Sequence, residues 1–334
     1  MFLINKRTLA AELESPAYTA ATLASADFNV RIKEDITYSP EIMEYRRRVM
    51  QGDLDFDSSV MGRQKGTISF TVDLAPAAAV NTEPAWSKLL KACGLKAIGW
   101  NSGSEVAVGS AVEGISWEPH SDMTHTPITF EIEEIAEGAS ASRLITRFGG
   151  AMGNVKFGVN TVGEPVQMKF EFSGALLSMA DRVYASRLQP TSLSTVVPPA
   201  LLSATALISA VAQDCDKFEF DMGGDVQEWV DPSLSTGVKG FYIAGREGPM
   251  MTIDPTSKLL ASEPVYTQWL AGTLVPVNIA MGGSVPLTFS ATKGQHTVVS
   301  VGERNGAATF EKTYLLTRGA TANKTFQLLQ GATT

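Results

Sequence analysis

The stretch Gly66-Thr67-Ile68-Ser69-Phe70-Thr71-Val72-Asp73-Leu74 decides the fold class of this chain. Apolar and polar residues alternate along it, which is typical of a strand that buries one face. Strands of a parallel sheet would be apolar on both faces. The pattern therefore predicts a mainly β protein of antiparallel sheets. The same alternation recurs at 28–33, 128–133, 155–159, 166–172, 218–222 and 275–281.

Composition narrows the class of protein further. The chain has 334 residues, of which 44% are hydrophobic and 19% are charged, so it has enough apolar material for a core and does not resemble a disordered chain. This length suggests two domains as a first estimate. The net charge of −8 argues against general nucleic-acid binding, for which a basic surface is expected.

Two features bear on the compartment. Cys93 and Cys215 are the only cysteines, so a disulfide scaffold is not expected, and free thiols are favoured over a bridge. The first residues place Lys6 and Arg7 after an apolar start, whereas a signal peptide has the reverse order. No run of 18 apolar residues occurs, so we expect no membrane span and synthesis in a cytoplasm.

A short helix is predicted between the strands. Thr82 can cap it, and Pro is tolerated in a first helical turn. Trp86, Leu89, Leu90 and Cys93 then follow at helical spacing, and Gly94 ends the helix. A helix this short depends on docking its apolar stripe against a sheet.

The helix is part of an internal repeat with an offset of about 180 residues. Three segments match in the same order, which predicts two copies of one sheet-plus-helix module rather than two unrelated β domains with similar turns. We expect a first module at 1–180, a linker and the start of the second module at 181–214, and the second module at 215–334. The matched pairs are 83–90 with 263–270, 71–73 with 252–254, and 129–131 with 309–311.

Seven segments carry a resemblance to a known family. They are Lys6–Ala10, Gly66–Leu74, Glu83–Gly94, Gly149–Phe157, Met168–Gly174, Phe218–Gly223 and Asp231-Pro232. Together they resemble the double-domain major tail tube proteins of long-tailed bacteriophages. The second half departs most, because nothing in it clearly matches Met168–Gly174.

The resemblance implies two β-sandwich or barrel-like modules, each with a short flanking helix. It implies a structural virion protein without catalysis or cofactors, made in a bacterial host and located in the phage tail. Three chains would form a ring with pseudo-sixfold symmetry, and stacked rings would form a tube that conducts DNA without specific binding. Its partners would be further copies of itself and the tape-measure, terminator and distal tail proteins.

Two other functions remain open. A terminator or hub protein of similar fold would form single rings instead of long tubes. A carbohydrate-active β-sandwich enzyme would need two carboxylates about 5–10 Å apart in an aromatic-lined cleft, and the sequence identifies no such pair.

Residues 44–65 contain a basic triplet and three alternating aspartates. We interpret them as a long hairpin whose charges contact the next ring, since arginine pairs carboxylates well and linked pairs matter more than single ones. The alternative is a solvated surface loop. The aspartates resemble the start of a calcium loop, but Ser58 and Gln64 stand where glycine and glutamate are required. The charged residues are Arg46, Arg47, Arg48, Asp53, Asp55 and Asp57.

An acidic run is the candidate for the channel wall. B-DNA carries about one negative charge per 1.7 Å of axis, so an acidic wall would let it slide, whereas a basic wall would hold it. On a strand, the first two carboxylates would share one face while Ile132 points to the core. An ordinary solvated face and acidity that serves only solubility are the alternatives. The run consists of Glu131, Glu133, Glu134 and Glu137.

The remaining candidates give weak signals. His120, His125 and His296 lack the spacing of a zinc site. The glycines at 149–153 precede a strand instead of a helix, so they do not predict a phosphate-binding loop. Core packing is the expected role of the isolated tryptophans Trp100, Trp117 and Trp229.

Overall fold

The prediction of a mainly β protein with antiparallel sheets is confirmed. The structure is a computed structural model. It describes residues 2–33, 36–47, 57–109, 112–120, 124–136, 142–183, 193, 195–202, 204–283, 285–319 and 324–331.

Six strands of the first half pair side by side in the order β1-β7-β8-β9-β3-β2, all antiparallel; we call this set row A. Strands β4, β5 and β6 form a smaller unit beside it. A 3₁₀ turn covers Ser25–Asp27. The elements are β1 Phe2–Leu13, β2 Thr37–Tyr45, β3 Val60–Asp73, α1 Ser87–Ala92, β4 Leu95–Asn101, β5 Ser104–Val106, β6 Gly114–Pro119, β7 Ile128–Ala136, β8 Arg143–Val159 and β9 Gln167–Arg182.

Six strands of the second half pair in the order β10-β16-β17-β18-β15-β12, again antiparallel; we call this set row B. Strands β13 and β14 form a separate two-stranded ribbon. The elements are β10 Thr205–Ile208, β11 Val211–Gln213, β12 Cys215–Asp221, β13 Gly224–Val230, β14 Val238–Arg246, β15 Met250–Pro255, α2 Val265–Leu270, β16 Leu274–Met281, β17 Leu287–Arg304, β18 Ala307–Leu316 and β19 Gln327–Gly331.

The chain visits the six places of each row in the same sequence. It enters at the first place, crosses to the sixth and fifth, and then fills the second, third and fourth. A helix follows the fifth-place strand in both rows, α1 after β3 and α2 after β15. Row A carries its extra strands between the helix and β7, whereas row B carries its ribbon between β12 and β15.

The strand places agree with two of the three sequence matches. Residues 71–73 and 252–254 lie in the last part of the fifth-place strands β3 and β15, and each is followed by the matched helix. The third match joins strands of different place, because Thr129 lies on β7 and Thr309 lies on β18. The similarity of residues 129–131 and 309–311 therefore does not reflect equivalent strand places in the two rows.

Row A and row B are joined by strand pairing. The end of β8 pairs with β12, from Val159 opposite Phe218 to Lys156 opposite Asp221; we call this the row joint. Strand β6 pairs with β19, which continues the line of β18 along β17. These pairings satisfy backbone groups that would otherwise lie at open sheet edges.

An aromatic cluster ties the core across the row joint. Phe220 on β12 lies with its ring centre 4.5 Å from that of Phe157, 4.9 Å from that of Phe289 and 4.8 Å from that of Phe326. All four belong to one apolar cluster that also contains Phe70 of the deciding stretch. Burial of these aromatic side chains stabilises both rows at once.

One predicted strand does not form. Residues 28–33 make a single isolated bridge, Ile32 opposite Val72, in place of a ladder. Phe28 and Val30 are buried nonetheless, Phe28 with Ala10 and Val30 in the main core. The alternation there therefore reflects burial of an extended segment that lacks a continuous strand partner.

The first helix is shorter than predicted and begins at Ser87, so Thr82 does not cap it. Its stripe docks as expected, with Leu89 and Leu90 buried. Gly94 has φ +78°, a left-handed conformation that ends the helix and that a side chain would strain. Glu83 lies ahead of the helix and accepts hydrogen bonds from Ser87 and Lys91.

Replacing Phe220 with alanine should lower the free energy of unfolding by about 3–5 kcal/mol, because it opens a cavity among three other rings. Since the ring serves both rows, we expect one cooperative urea transition at lower midpoint. Val197→Ala is the control, because Val197 is 80% exposed. Loss of one row's signal before the other would contradict a shared core.

Candidate assembly surfaces

The predicted long hairpin is formed by β2 and β3. Their ladder runs from Thr37 opposite Ser69 to Tyr45 opposite Val60. Strand β9 pairs with β3 only from Lys65 onward and then continues beside β8 to Arg182, so the outer part of the hairpin separates from the neighbouring strand. We call residues 40–47 and 57–64 the arm. Four apolar side chains on it are exposed, namely Ile42, Tyr45, Val60 and Met61.

The described charges of the arm are open to solvent. The Arg46 side chain is 84% exposed and its Nε lies 3.7 Å from Glu44 Oε1. Arg47 Nη2 lies 3.9 Å from Asp57 Oδ2. Exposed pairs at such distances contribute little to stability, so these arginines remain available to another surface. The other predicted contact residues, Arg48, Asp53 and Asp55, lie outside the described residues.

The β13–β14 ribbon supports the base of the arm. Glu228 accepts a hydrogen bond of 2.9 Å from Arg63 and lies 3.5 Å from Lys65 Nζ. The backbone N–H of Gln64 donates to the carbonyl of Thr236. Sequence reasoning missed this support, because nothing local relates residues 63–65 to residues 228–236.

Trp229 on the same ribbon corrects one prediction. It is 42% exposed instead of buried. Tyr18 meets it edge to face at 5.0 Å, and Lys239 Nζ lies 4.3 Å from its ring centre. Trp100 and Trp117 are buried, as predicted.

The acidic strand does not form an open face, so the prediction of a channel wall is wrong for its first two members. Glu131 is 1% and Glu133 is 0% exposed. Arg182 Nη1 lies 2.6 Å from Glu131 and 2.7 Å from Glu133, while Arg143 donates to Glu133. Burying a carboxylate requires such a partner, and solvent in a channel would not reach these groups.

The remaining carboxylates of the run are placed differently. Glu134 is also buried and pairs with Arg7, whose Nη2 lies 2.6 Å from its Oε1. Glu137 lies outside the described residues. The run therefore belongs to a mostly neutralised network, not to a solvated acidic patch.

A segment after β1 covers this face of β7. The N–H of Ala21 donates to Thr129 Oγ1, and Arg147 Nη2 donates to the carbonyl of Ala21. Burial alone would lower the pKa of Arg182, but its hydrogen bonds and charge contacts with the two glutamates raise it overall. The sequence signal that could have revealed the network is the pair of arginines on β8: Arg147 lies opposite Glu131, and Arg143 lies opposite Ile135, diagonally from Glu133.

Row B leaves apolar surface bare where row A covers it. Leu89 and Leu90 of α1 are buried, whereas the matched Trp269 and Leu270 of α2 are 37% and 88% exposed. The β4–β6 unit adds contacts to α1: Trp117 donates to Ser87 and its ring lies 4.7 Å from that of Trp86. Among the described residues, row B shows no equivalent unit, and Trp269 and Leu270 of α2 face outward.

A groove of about 660 Å³ beside α1 contains two carboxylates and a tryptophan. Both carboxylates are engaged: Asp73 lies 3.6 Å from Lys33 Nζ, and Glu83 binds Ser87 and Lys91. Trp86 is buried and donates its ring N–H to the carbonyl of Ala75. Glu83 therefore stabilises the start of the helix, Asp73 contacts Lys33, and the buried Trp86 ring does not present an aromatic wall to a ligand.

Within the described residues, no group of three or more His, Cys, Asp and Glu side chains is arranged to hold a metal ion. No helix in the described part of the chain has the length and apolar character needed to cross a membrane. Cys93 and Cys215 are both free thiols, and burial raises the pKa of each, that of Cys215 to about 11. Neither thiol is therefore an activated nucleophile.

Comparison with protein-family models and with curated proteins found no match for the chain.

Replacing Glu133 with glutamine should lower the free energy of unfolding by about 3 kcal/mol, because Arg143 and Arg182 each lose a buried carboxylate partner. Glu171→Gln is the matched control, since its side chain is 55% exposed and lies 3.3 Å from Lys169. It should cost less than about 1 kcal/mol. Equal effects of both substitutions in urea denaturation would argue that the β7 carboxylates are hydrated.

Proposed function

We propose that this chain is a structural subunit made of two copies of one module, and that three chains form a ring with pseudo-sixfold symmetry. Rings would stack into the tail tube of a long-tailed bacteriophage and conduct DNA at ejection. The observation that carries the proposal is the shared chain path through row A and row B, with a helix after the fifth-place strand in each.

The row joint supports a ring. It brings the third-place strand of one row, β8, to the sixth-place strand of the other, β12. Two different edges meet, so the contact is head-to-tail. A head-to-tail contact repeated by rotation closes into a ring when the angle permits, and the same relation between chains would extend the pairing around an axis.

The arm supports stacking. It separates from β9, exposes four apolar side chains and carries unburied arginines at its end. Exposed apolar side chains grouped with a charged edge are typical of protein interaction sites. A second contact that does not close by rotation would turn rings into a tube.

The charge of −8 supports passage of DNA without specific binding, because an acidic protein does not gather phosphates. Since the β7 carboxylates are buried, an acidic wall would have to use other side chains. The tape-measure, terminator and distal tail proteins are the expected partners, and the tail of the virion is the expected location. The role is structural and not enzymatic.

Negative-stain microscopy of the purified full chain tests the proposal. Long hollow tubes with sixfold-like end views are the expected result. Discrete rings that do not lengthen with concentration would instead favour a terminator or hub protein. Monomers at high concentration, measured by sedimentation, would refute any ring-forming role.

Reversing the charge of the arm by Arg46→Glu, Arg47→Glu and Arg48→Glu should block tube growth while rings and folding persist. The reason is that the arginines of this triplet would meet carboxylates across the joint between rings. Lys169→Glu, a reversal of a 56% exposed side chain on β9, is the control. Tubes of normal length from the triple variant would reject the role of the arm.

A further inference from the structure

The equivalence of the two rows can be taken to single residues. In row A, Val72 of the fifth-place strand pairs with Met168 of the fourth. In row B, Ile253 pairs with Lys312 in the same way. All four side chains are buried, so the paired residues occupy the same strand places and point to the same face of the sheet in both rows.

The third-place strands follow from this register. Met168 pairs with Phe157 on β8, and Lys312 pairs with Val299 on β17. Phe157 and Val299 are both buried, as equivalent positions should be. The row joint uses Lys156–Val159 of β8, so its counterpart on β17 is Val298–Val301.

The two counterparts differ in what covers them. Val159 is 5% exposed and pairs with Phe218. Its equivalent Val301 is 69% exposed, and Val298 is 49% exposed. Within the described residues, β18 is the sole partner of this end of β17. The Val298–Val301 edge of β17 therefore resembles the Lys156–Val159 edge of β8 as it would be without β12.

The missing neighbour also has an equivalent. Phe218 on the sixth-place strand pairs with Ile253, and Ile32 makes the matching bridge to Val72 in row A. Within the described residues, Val72 is the only backbone partner of Ile32 in a β-bridge. The segment around Ile32 in row A therefore corresponds to the part of β12 that pairs with β8 in the row joint.

We propose that the β17 edge Val298–Val301 of one copy pairs antiparallel with the Arg31–Lys33 edge of a second copy, with Val301 opposite Ile32. The inference rests on the proposed ring and names its contact between chains. It would repeat between chains the pairing that the row joint makes within one chain, and three such contacts would close the ring.

Apolar surface beside the β17 edge suits a second copy as the partner. Tyr266 of α2 packs at 5.8 Å on Phe310, which pairs with Val301, so α2 lies beside the edge. Its exposed Leu270 offers apolar area to the incoming chain.

The joint between chains should be the weaker one. The row joint is reinforced by β6 pairing with β19 and by Lys156, which lies 2.7 Å from Asp221. Valine replaces lysine at the equivalent Val298, and the described part of row B contains no counterpart of β6. A ring should accordingly open between chains before its rows separate.

Disulfide trapping tests the contact in the full chain. Paired residues across antiparallel strands lie about 4.5–5.5 Å apart at Cα, within reach of a disulfide. The double variant Ile32→Cys, Val301→Cys should give linked species of two and three chains on a non-reducing gel after mild oxidation. Either single variant should remain monomeric on that gel, because the contact is head-to-tail.

Ile32→Cys combined with Val230→Cys is the matched control, since Val230 is 48% exposed and lies on the β13–β14 ribbon. Microscopy of the same samples separates the two proposals. Tubes without trapping in the Ile32–Val301 variant would overturn this contact and leave the proposed function standing. Absence of rings and tubes from the unmodified chain would overturn the proposed function.

A single variant keeps the test decisive should the double variant fold poorly. Val301→Lys places an unpaired charge in the joint and should raise the concentration needed for half assembly by about tenfold or more. Val230→Lys should leave it unchanged. Sedimentation velocity measures both, and equal behaviour of the two variants would overturn the contact.

Discussion

Open strand edges are the constraint on which this structure depends. A sheet edge presents unpaired backbone N–H and C=O groups, and these must find partners in water, in the same chain or in another. The chain satisfies one such edge internally by placing β12 against the end of β8 and filling the gap behind it with Phe157, Phe220, Phe289 and Phe326. The row joint therefore combines backbone pairing with a shared apolar core, and each supports the other.

The charges of β7 show how a polar pattern can be used inside a fold. Glu131 and Glu133 alternate with apolar residues as they would on a half-exposed strand, yet the segment after β1 covers that face. Arginines from β8 and β9 supply the counter-charges that make burial tolerable. The arrangement specifies the register of three strands, because a slip of one residue would leave each charge against the wrong face.

Row A and row B have the same path but unequal surroundings. Row A receives the β4–β6 unit over α1, and the end of its β8 is covered by row B. Row B leaves α2 and the end of β17 exposed, with Leu270 and Val301 among its most exposed apolar side chains. Two unlike edges on one chain suit head-to-tail association. In such an association, the exposed edge of one copy pairs with the different edge of the next copy.

The alternation of Ile68, Phe70 and Val72 determined strand type and buried face, because side chains of a strand alternate between faces whatever lies beyond it. The helix stripe at Leu89 and Leu90 was likewise readable, since its spacing is a local property. The tertiary structure alone decided that 28–33 lacks a ladder, that Glu131 and Glu133 are buried, and that Trp229 is exposed. Each of these outcomes depends on which distant segment covers a face of the strand. Periodicity shows that the two faces of a strand differ, but it does not show which segment packs against either face.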